Sequence, residues 1–377
     1  MPDRTRGYEV AVLGAGCAGA AVAYALARRR IAPVVVDAAS PGGGFPTWAA
    51  VPVQTGTPAD ITLALRGAER LPGLQDAIGT FGYRRTGGMT VALTDAEEAV
   101  GRARAAEAAA AGMPVCWLSR DETLRREPGL TDRAAGAVYC AYDGTADAGA
   151  LARRLLGAAT RFGGAAYLNC GHVGIARQNG GFRIRAGRDE VVARRIVAAS
   201  ADLLHAAMRQ IGIVLPMRTK RRRICVTDRL APLVRHTING IRQEPAGELV
   251  LDPPAAVDDH AAAEDLRATL DALRRIAAAA VRVVPGIARA RVLHAPLVVS
   301  TTGADGRSLA GCAGEDFYVA IAGADEAVTQ SPLIGEAIAE AVARNRWPEG
   351  LEIWSPGRFA PATAGAWTGV QDSPPGP

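Results

Sequence analysis

Residues 8–37 read YEVAVLGAGCAGAAVAYALARRRIAPVVVD, and the fold is decided by this stretch. The apolar run 8–13 stops at a glycine, the pattern of a strand buried on both faces of a parallel sheet. Gly14, Gly16 and Gly19 make G-x-G-x-x-G, and an alanine-rich helix with basic residues in its last turn follows. IAPVVVDAA at 31–39 reads as a second buried strand. Gly14 permits a tight turn, Gly16 lets the backbone approach a pyrophosphate, and Gly19 lets the helix pack closely on the strand. A pyrophosphate held there meets the free N–H groups of the helix N-terminus. Asp37 lies 18 residues after Gly19, where a carboxylate accepts hydrogen bonds from ribose hydroxyls and repels a 2′-phosphate.

An NAD domain usually continues strand–helix–strand without long interruption. Here a long stretch of different character follows residue 46, and parallel-sheet signals resume only at 149–199 and 316–345. A nucleotide domain split into three pieces, with another domain woven between them, favours FAD over NAD, and a resemblance to known FAD enzymes favours it too. The expected fold class is α/β: a Rossmann-type FAD-binding domain interleaved with a mixed, largely antiparallel α+β substrate domain. The first takes residues 1–46, 145–204 and 301–359, and the second takes 47–144 and 205–300. Residues 360–377 carry no packing pattern and read as a disordered tail.

Further elements follow from local pattern. Strands are expected at 89–93, 165–168, 172–176, 181–185, 195–199 and 224–228, with another over 292–300. A helix opens with Asp95 as N-cap, and others cover 119–130 and 149–164. Leu266, Leu270, Leu273 and Ile276 share one face of a helix within 262–284. A last helix spans 329–345, with Pro332 inside its first turn.

Composition narrows the class. The chain has 377 residues, 49% hydrophobic and 21% charged, which excludes a disordered, collagen-like or small disulfide-stapled protein. Cys17, Cys116, Cys140, Cys170, Cys225 and Cys312 lie too far apart for a close-paired zinc or iron–sulfur site, and no metal site is expected. They read as reduced, buried thiols, and the start of the chain lacks a signal-peptide pattern, so the expected location is cytoplasmic. The abundance of Ala and Arg fits a GC-rich bacterial genome. Net charge is +5, and the dense basic run Lys220-Arg221-Arg222-Arg223 reads as a solvated or partner-facing edge. No nucleic-acid motif accompanies it.

Several stretches carry a family likeness: EVAVLGAGCAGAAVAYALARR with VVVD; LSRDETLRREPGL with GAVYCAYDGTADAGALARRL; LPMRTKRRRICVTDRL; HTINGIRQEPAGELVL; TTGADGRSLAG, DFYVAIAG and AVTQSPLIGEAIAEAV; and SPGRF at 355–359. Over roughly 8–359 the chain resembles the D-amino-acid oxidase superfamily of FAD enzymes, which includes glycine and sarcosine oxidases. It looks most like the β subunits of opine oxidase, hydroxyproline dehydrogenase and hydrogen cyanide synthase. The resemblance implies non-covalent FAD held by Gly14, Gly16, Cys17, Ala18 and Gly19 at the pyrophosphate, and by Asp37 and Ala38 at the ribose. Gly43 and Gly44 would pass the ADP moiety, Val173 would meet adenine through its backbone, and Ala199 would close the same site. Gly323, Ala327, Val328, Thr329 and Gln330 would wrap the isoalloxazine, with the helix N-terminus aimed at the ring.

The resemblance also implies oxidation of an amine, imino acid or amino-acid-like C–N bond by hydride transfer to flavin N5. Electrons then pass to oxygen or to a partner subunit, in a homo- or hetero-oligomer. Many relatives clamp the substrate carboxylate with an arginine, and that position reads Ser300 here. Phe45 and Trp48 add bulk to a loop of small polar residues, Asp325 replaces a histidine, and His294 precedes the strand at the presumed active-site face. Asp325, Ser300, His294 and Trp48 are therefore the candidate catalytic residues. A degenerate, partner-dependent flavin subunit is the alternative. His172, His205, His236 and His260 show no metal-like spacing.

Overall fold

A computed structural model describes residues 6–42, 48–178, 180–252 and 266–359. Its first sheet grows from the opening strand β1 (Arg6–Leu13), which pairs in parallel with β2 (Pro33–Val36) on one side and with Asp189–Ala198 on the other. The parallel array continues outward to Ala165–Tyr167 beyond β2 and to Phe317–Ile321 beyond Asp189–Ala198. Leu309–Gly314 closes that last edge antiparallel. A hairpin, Val173–Gln178 and Gly181–Ala186, adds to Asp189–Ala198 in antiparallel fashion. Valines and isoleucines fill these strands on both faces because helices or the hairpin cover each face.

Helix α1 (Cys17–Arg28) lies on this sheet, packed between helices Ala148–Arg161 and Ala327–Arg344. The approach is made by small residues. A Cβ on Gly335 would stand 2.6 Å from the backbone carbonyl of Ala21.

The second large sheet is mixed. Its order is Val292–His294, Cys225–Arg229, Glu248–Leu251, Ile241–Gln243, Thr237–Ile238, Gly88–Ala92, Gly136–Cys140 and Val115–Ser119. All its pairings are antiparallel except that of Thr237–Ile238 with Gly88–Ala92. Two ribbons accompany the large sheets: Trp48–Val51 with Gly144–Asp147, and Met217–Arg223 with Leu297–Gly303. The two sheets reproduce the expected fold class, a parallel nucleotide-type sheet beside a mixed, largely antiparallel one. No helix among the described residues is long and apolar enough to cross a membrane.

Several local readings are corrected. Thr94, not Asp95, caps the helix Asp95–Ala110, because its hydroxyl accepts the Glu97 N–H. The strand expected over 292–300 is two strands, interrupted at Ala295-Pro296, since proline supplies no ladder N–H. The last helix starts at Ala327, so Pro332 sits in its second turn. Helix Leu266–Val283 buries Ile276 and half-buries Leu273 but leaves Leu270 44% exposed. The side chain of Leu266, His260 and the tail from 360 lie outside the described residues. Cys116 and Cys312 are exposed, so the thiols are not uniformly buried.

Gly335→Ala is expected to destabilise the protein by about 1–3 kcal/mol, as overpacking against a fixed backbone does. Gly73, in helix Leu71–Ile78, has open space where a Cβ would go, so Gly73→Ala is expected to be neutral or slightly stabilising. Thermal unfolding of both variants checks this. Equal melting temperatures would show that the helix pair relaxes without cost.

Candidate active site

The fingerprint glycines perform distinct physical tasks. Gly14 adopts φ +113° and sits under Ser200, its N–H donating to the Val36 carbonyl. Gly19 faces that turn so closely that a Cβ would lie 2.0 Å from the Gly14 carbonyl oxygen. Gly16 caps α1 without a side-chain hydrogen bond, no acid stands in the first turn, and a Cβ there would meet nothing within 4 Å. This is an open, cationic helix end suited to a pyrophosphate. Cys17 and Ala18 are buried in the first turn. The Cys17 thiol donates to the Ala148 carbonyl, and burial pushes its pKa up to about 12, which keeps it neutral beside an anion.

Asp37 braces the same turn. Its carboxylate accepts the N–H groups of Ala15 at 2.5 Å and Ala39 at 2.8 Å. The loop 169–171 clasps residues 37–39 through Asn169, Cys170 and Gly171 N–H donors, the last of them to Ala38. Val173, buried, starts the next strand two residues later. Ala199 donates its N–H to Leu13 and follows the strand neighbouring β1. Asp37, Ala38 and Val173 therefore lie around one loop cluster, with Ala199 across the turn at Gly14. This open cradle and its flanking carboxylate fit the ADP portion of FAD. Gly43, Gly44 and Phe45 lie outside the described residues.

A cavity of about 570 Å³ opens beside the last helix, with Lys220, Arg222, Arg242, Asp252, Asp325 and Glu326 among its lining residues. Alternation in the ribbon explains how a basic run reaches it. Lys220 pairs with Ser300 and Arg222 with Val298, and side chains two apart share a face. Arg222 forms a fork with Asp252, Nε to Oδ1 at 2.7 Å and Nη2 to Oδ2 at 3.1 Å. Its outer edge also binds Asp325, with Nη1 to Oδ2 at 3.2 Å and Nη2 to Oδ1. The side chains of Arg222 and Asp252 are 16% and 17% exposed, whereas that of Asp325 is 54% exposed. Asp252 is thus the enclosed anchor, and Asp325 the more open partner.

Electrostatics follow this sharing. Burial opposes the charge on Arg222, but Asp252 and Asp325 outweigh burial and hold its pKa above the ordinary value. One guanidinium cannot fully compensate two carboxylates. Burial and the Asp252 charge therefore raise the Asp325 pKa despite Arg222. Burial and the neighbouring Asp325 charge push Glu326 up to about 7. Arg242 is buried and donates through Nε and Nη2 to the Trp48 carbonyl at 3.0 and 2.9 Å.

The structure separates the candidate catalytic residues. Asp325 alone lines the cavity. Ser300 Oγ accepts the Ala324 N–H at 2.8 Å and so braces the loop before Asp325. Trp48 offers its carbonyl to Arg242, while its ring packs against Gly82 under the Arg84 guanidinium. His294 sits exposed on the edge strand of the large mixed sheet, away from the cavity lining. Gln330 acts indirectly: it accepts from Ser308 Oγ at 2.6 Å, and that hydroxyl accepts the Gly323 N–H. Ala327, Val328 and Thr329 are buried in the helix start, with Thr329 against Gly67. The basic run is not simply a solvated edge, since Arg222 is enclosed in an ion-pair network. Arg222, Arg242 and Asp252 were missed because they meet only through long-range contacts, and Glu326, though adjacent to Asp325, because its burial is not local information. No local pattern in MRTKRRR at 217–223 sets Arg222 apart from Arg221 or Arg223.

Residues 9–341 match the family model described as DAO, FAD dependent oxidoreductase. The opine oxidase B subunit from Rhizobium meliloti is 28% identical over 271 residues, covering 67% of this chain and 72% of that one. The corresponding opine oxidase chain from Agrobacterium tumefaciens (strain Ach5) is 26% identical over 314 residues, 76% of this chain and 81% of that one. The crystal structure of glycine oxidase from Geobacillus kaustophilus superposes with a TM-score of 0.79 at 24% identity, over 93% of this chain and 98% of that one.

Asp37→Ala is expected to lower flavin content in the purified protein, measured as visible absorbance per mole of chain. Undiminished content would remove the ribose assignment. Glu326→Gln tests the raised pKa. A folded-state pKa above the unfolded value favours folding at low pH, and that advantage is lost as pH rises from about 4.5 through about 7. The glutamine variant should therefore gain stability over wild type toward pH 8, by up to about 3 kcal/mol, and little near pH 5. Thermal unfolding of flavin-free protein reads this out, and a pH-independent difference would refute it.

Proposed function

The chain belongs to the DAO family of FAD-dependent oxidoreductases, and from that premise we propose that it oxidises the C–N bond of a small amphoteric amine, an amino-acid-like or imino-acid-like compound, in the cavity at Arg222. It is an FAD-dependent oxidoreductase related to amino-acid and amine oxidases. Bound FAD supplies a two-electron hydride acceptor. The observation that carries the reading is the shared guanidinium. Arg222 is fixed by Asp252 along one edge and lends the other to the more open Asp325. A substrate carboxylate can take that outer edge, since a planar guanidinium matches a carboxylate through two N–H donors. Asp325, so released, is free to hold the substrate nitrogen.

The serine at the family's usual arginine position is thus compensated from the neighbouring strand. Arg222 shares a ribbon face with Ser300, diagonally across the ladder. Ser300 keeps the structural task of holding the Ala324 N–H. Orientation of the C–H bond falls to Arg222 and Asp325 acting at the two ends of the substrate head group.

A second reading has its own support. Arg222 is already neutralised by two carboxylates, and the chain resembles proteins named as subunits of opine oxidase. Under that reading the chain holds flavin and works with a partner chain, and its own cavity turns over nothing alone.

The deciding experiment adds a panel of amines, amino acids and imino acids to the flavin-loaded chain without oxygen. Bleaching of the flavin bands by an amphoteric amine is expected. Arg222→Gln should then reduce kcat/KM by roughly a hundredfold, the scale for removing one partner of an enclosed charge pair. A variant that keeps full activity would sink the Arg222 role. A flavin that bleaches with no compound would favour the partner-dependent reading.

A further inference from the structure

A second cavity, of about 420 Å³, lies behind Arg242. Arg242 lines both this space and the candidate active-site cavity, so one buried guanidinium forms the partition between them. The second cavity has its own charge character. Arg84, Arg235 and Arg242 line it, against one carboxylate, Glu244. His236 also lines it, but its Nδ1 is engaged by the buried Glu127 carboxylate at 2.9 Å. Cations outnumber anions here, unlike in the active-site cavity, where the arginine fork is neutralised in place.

Two of these cations are under-used, whereas Arg242 is bonded to the carbonyls of Trp48 and Gly240. No described residue takes a hydrogen bond or ion pair from the Arg235 side chain, which is exposed. Arg84 rests over the Trp48 ring and makes one long bond, 3.4 Å, to the Gln243 carbonyl. Burial lowers the pKa of Arg242, and its nearest carboxylate, Asp252, stands 3.7 Å away and is already forked to Arg222.

The wall of this cavity also holds an orphaned polar group. Thr145 lines the same cavity, is 4% exposed, and its Oγ1 is buried with no hydrogen-bond partner. Its backbone is satisfied by reciprocal bonds with Arg84, so only the hydroxyl is orphaned. A buried unsatisfied hydroxyl costs free energy unless something else meets it.

The walls are also preorganised. The Gln243 side chain accepts the N–H groups of Leu233 and Val234, and donates to the carbonyls of Leu230, Ala231 and Gly247. This one amide ties the turn at 244–247 to the segment 230–234 across the cavity mouth. A fixed wall reduces the entropy lost on binding.

We propose that this second cavity is a binding site for an organic anion, its phosphate or carboxylate group held by the exposed guanidinium forks of Arg84 and Arg235. The volume exceeds that of a bare ion, and the convergence of guanidinium forks is the chemistry that recognises either group. Because Arg242 borders both cavities, occupancy here also bears on the backbone of Trp48, to which Arg242 is bonded.

The test uses the flavin-loaded protein, so that the nucleotide site does not take up the probe. Inorganic phosphate and citrate are titrated separately by calorimetry at constant ionic strength. Saturable millimolar or tighter binding of at least one is expected, and the tighter of the two identifies the anionic group. Arg235→Gln and Arg84→Gln should each weaken it about tenfold or more, whereas Arg222→Gln, in the other cavity, should leave it unchanged. Binding that survives in both Arg235→Gln and Arg84→Gln, binding lost in Arg222→Gln, or no saturable binding of either anion would each overturn the proposal.

Discussion

A helix can dock end-on against a parallel strand only where side chains are absent from the contact, and the pairing of Gly14 with Gly19 is that place in this chain. Any Cβ on Gly19 would collide with the Gly14 carbonyl. The contact sets the position of α1, and α1 in turn carries the last helix, whose Gly335 lies against the Ala21 backbone. Both helices follow the carboxyl ends of parallel strands, Arg6–Leu13 and Phe317–Ile321. Their N-termini therefore open on the same edge of the sheet, where open α/β sheets take their ligands. Two glycine contacts thus bring a nucleotide cradle and the loop 323–326 to one side of the molecule.

That loop is built by hydrogen bonds from outside itself. Ser300 holds the Ala324 N–H, and Ser308 holds the Gly323 N–H while donating to Gln330. The arrangement fixes Asp325 and Glu326 at the mouth of the last helix, where the helix dipole favours negative charge. Burial pushes both toward protonation, helped at Asp325 by the Asp252 charge and at Glu326 by the Asp325 charge. Arg222 opposes this at Asp325 by direct hydrogen bonds and at Glu326 through its charge alone.

The fold was legible because its signals are local. The glycine triplet, the valine-rich strands and the alanine-rich helices each declare themselves within a dozen residues, whereas the mixed second sheet was expected with the help of the family resemblance. Element ends were less legible. The choice of Thr94 over Asp95 as cap turns on one hydroxyl bond, and the break at Pro296 on one missing N–H. The cavity was the least legible. Arg222 meets Asp252 across 30 residues and Asp325 across 103, and no local period encodes either distance. A run of four basic residues resembles a solvated face until its strand alternation is combined with the carboxylates that the topology delivers.

Charge balance then constrains what the cavity can accept. Among the described residues lining it, Arg104, Lys220, Arg222 and Arg242 face Asp143, Asp252, Asp325 and Glu326, four formal cations against four formal anions. A ligand with net charge would leave one of these groups uncompensated in a partly enclosed space. A ligand carrying one charge of each sign can exchange partners with Arg222 and Asp325 and keep the balance. This is the physical reason why an amphoteric amine suits the proposed reaction better than a simple cationic amine or a simple acid. The internal pair also sets a threshold. The substrate must offer both charges at the separation of the Arg222 and Asp325 head groups, since meeting only one of them frees the other at a cost in buried charge. Selectivity in such a site arises from the exchange, without requiring a close steric fit to the remainder of the molecule.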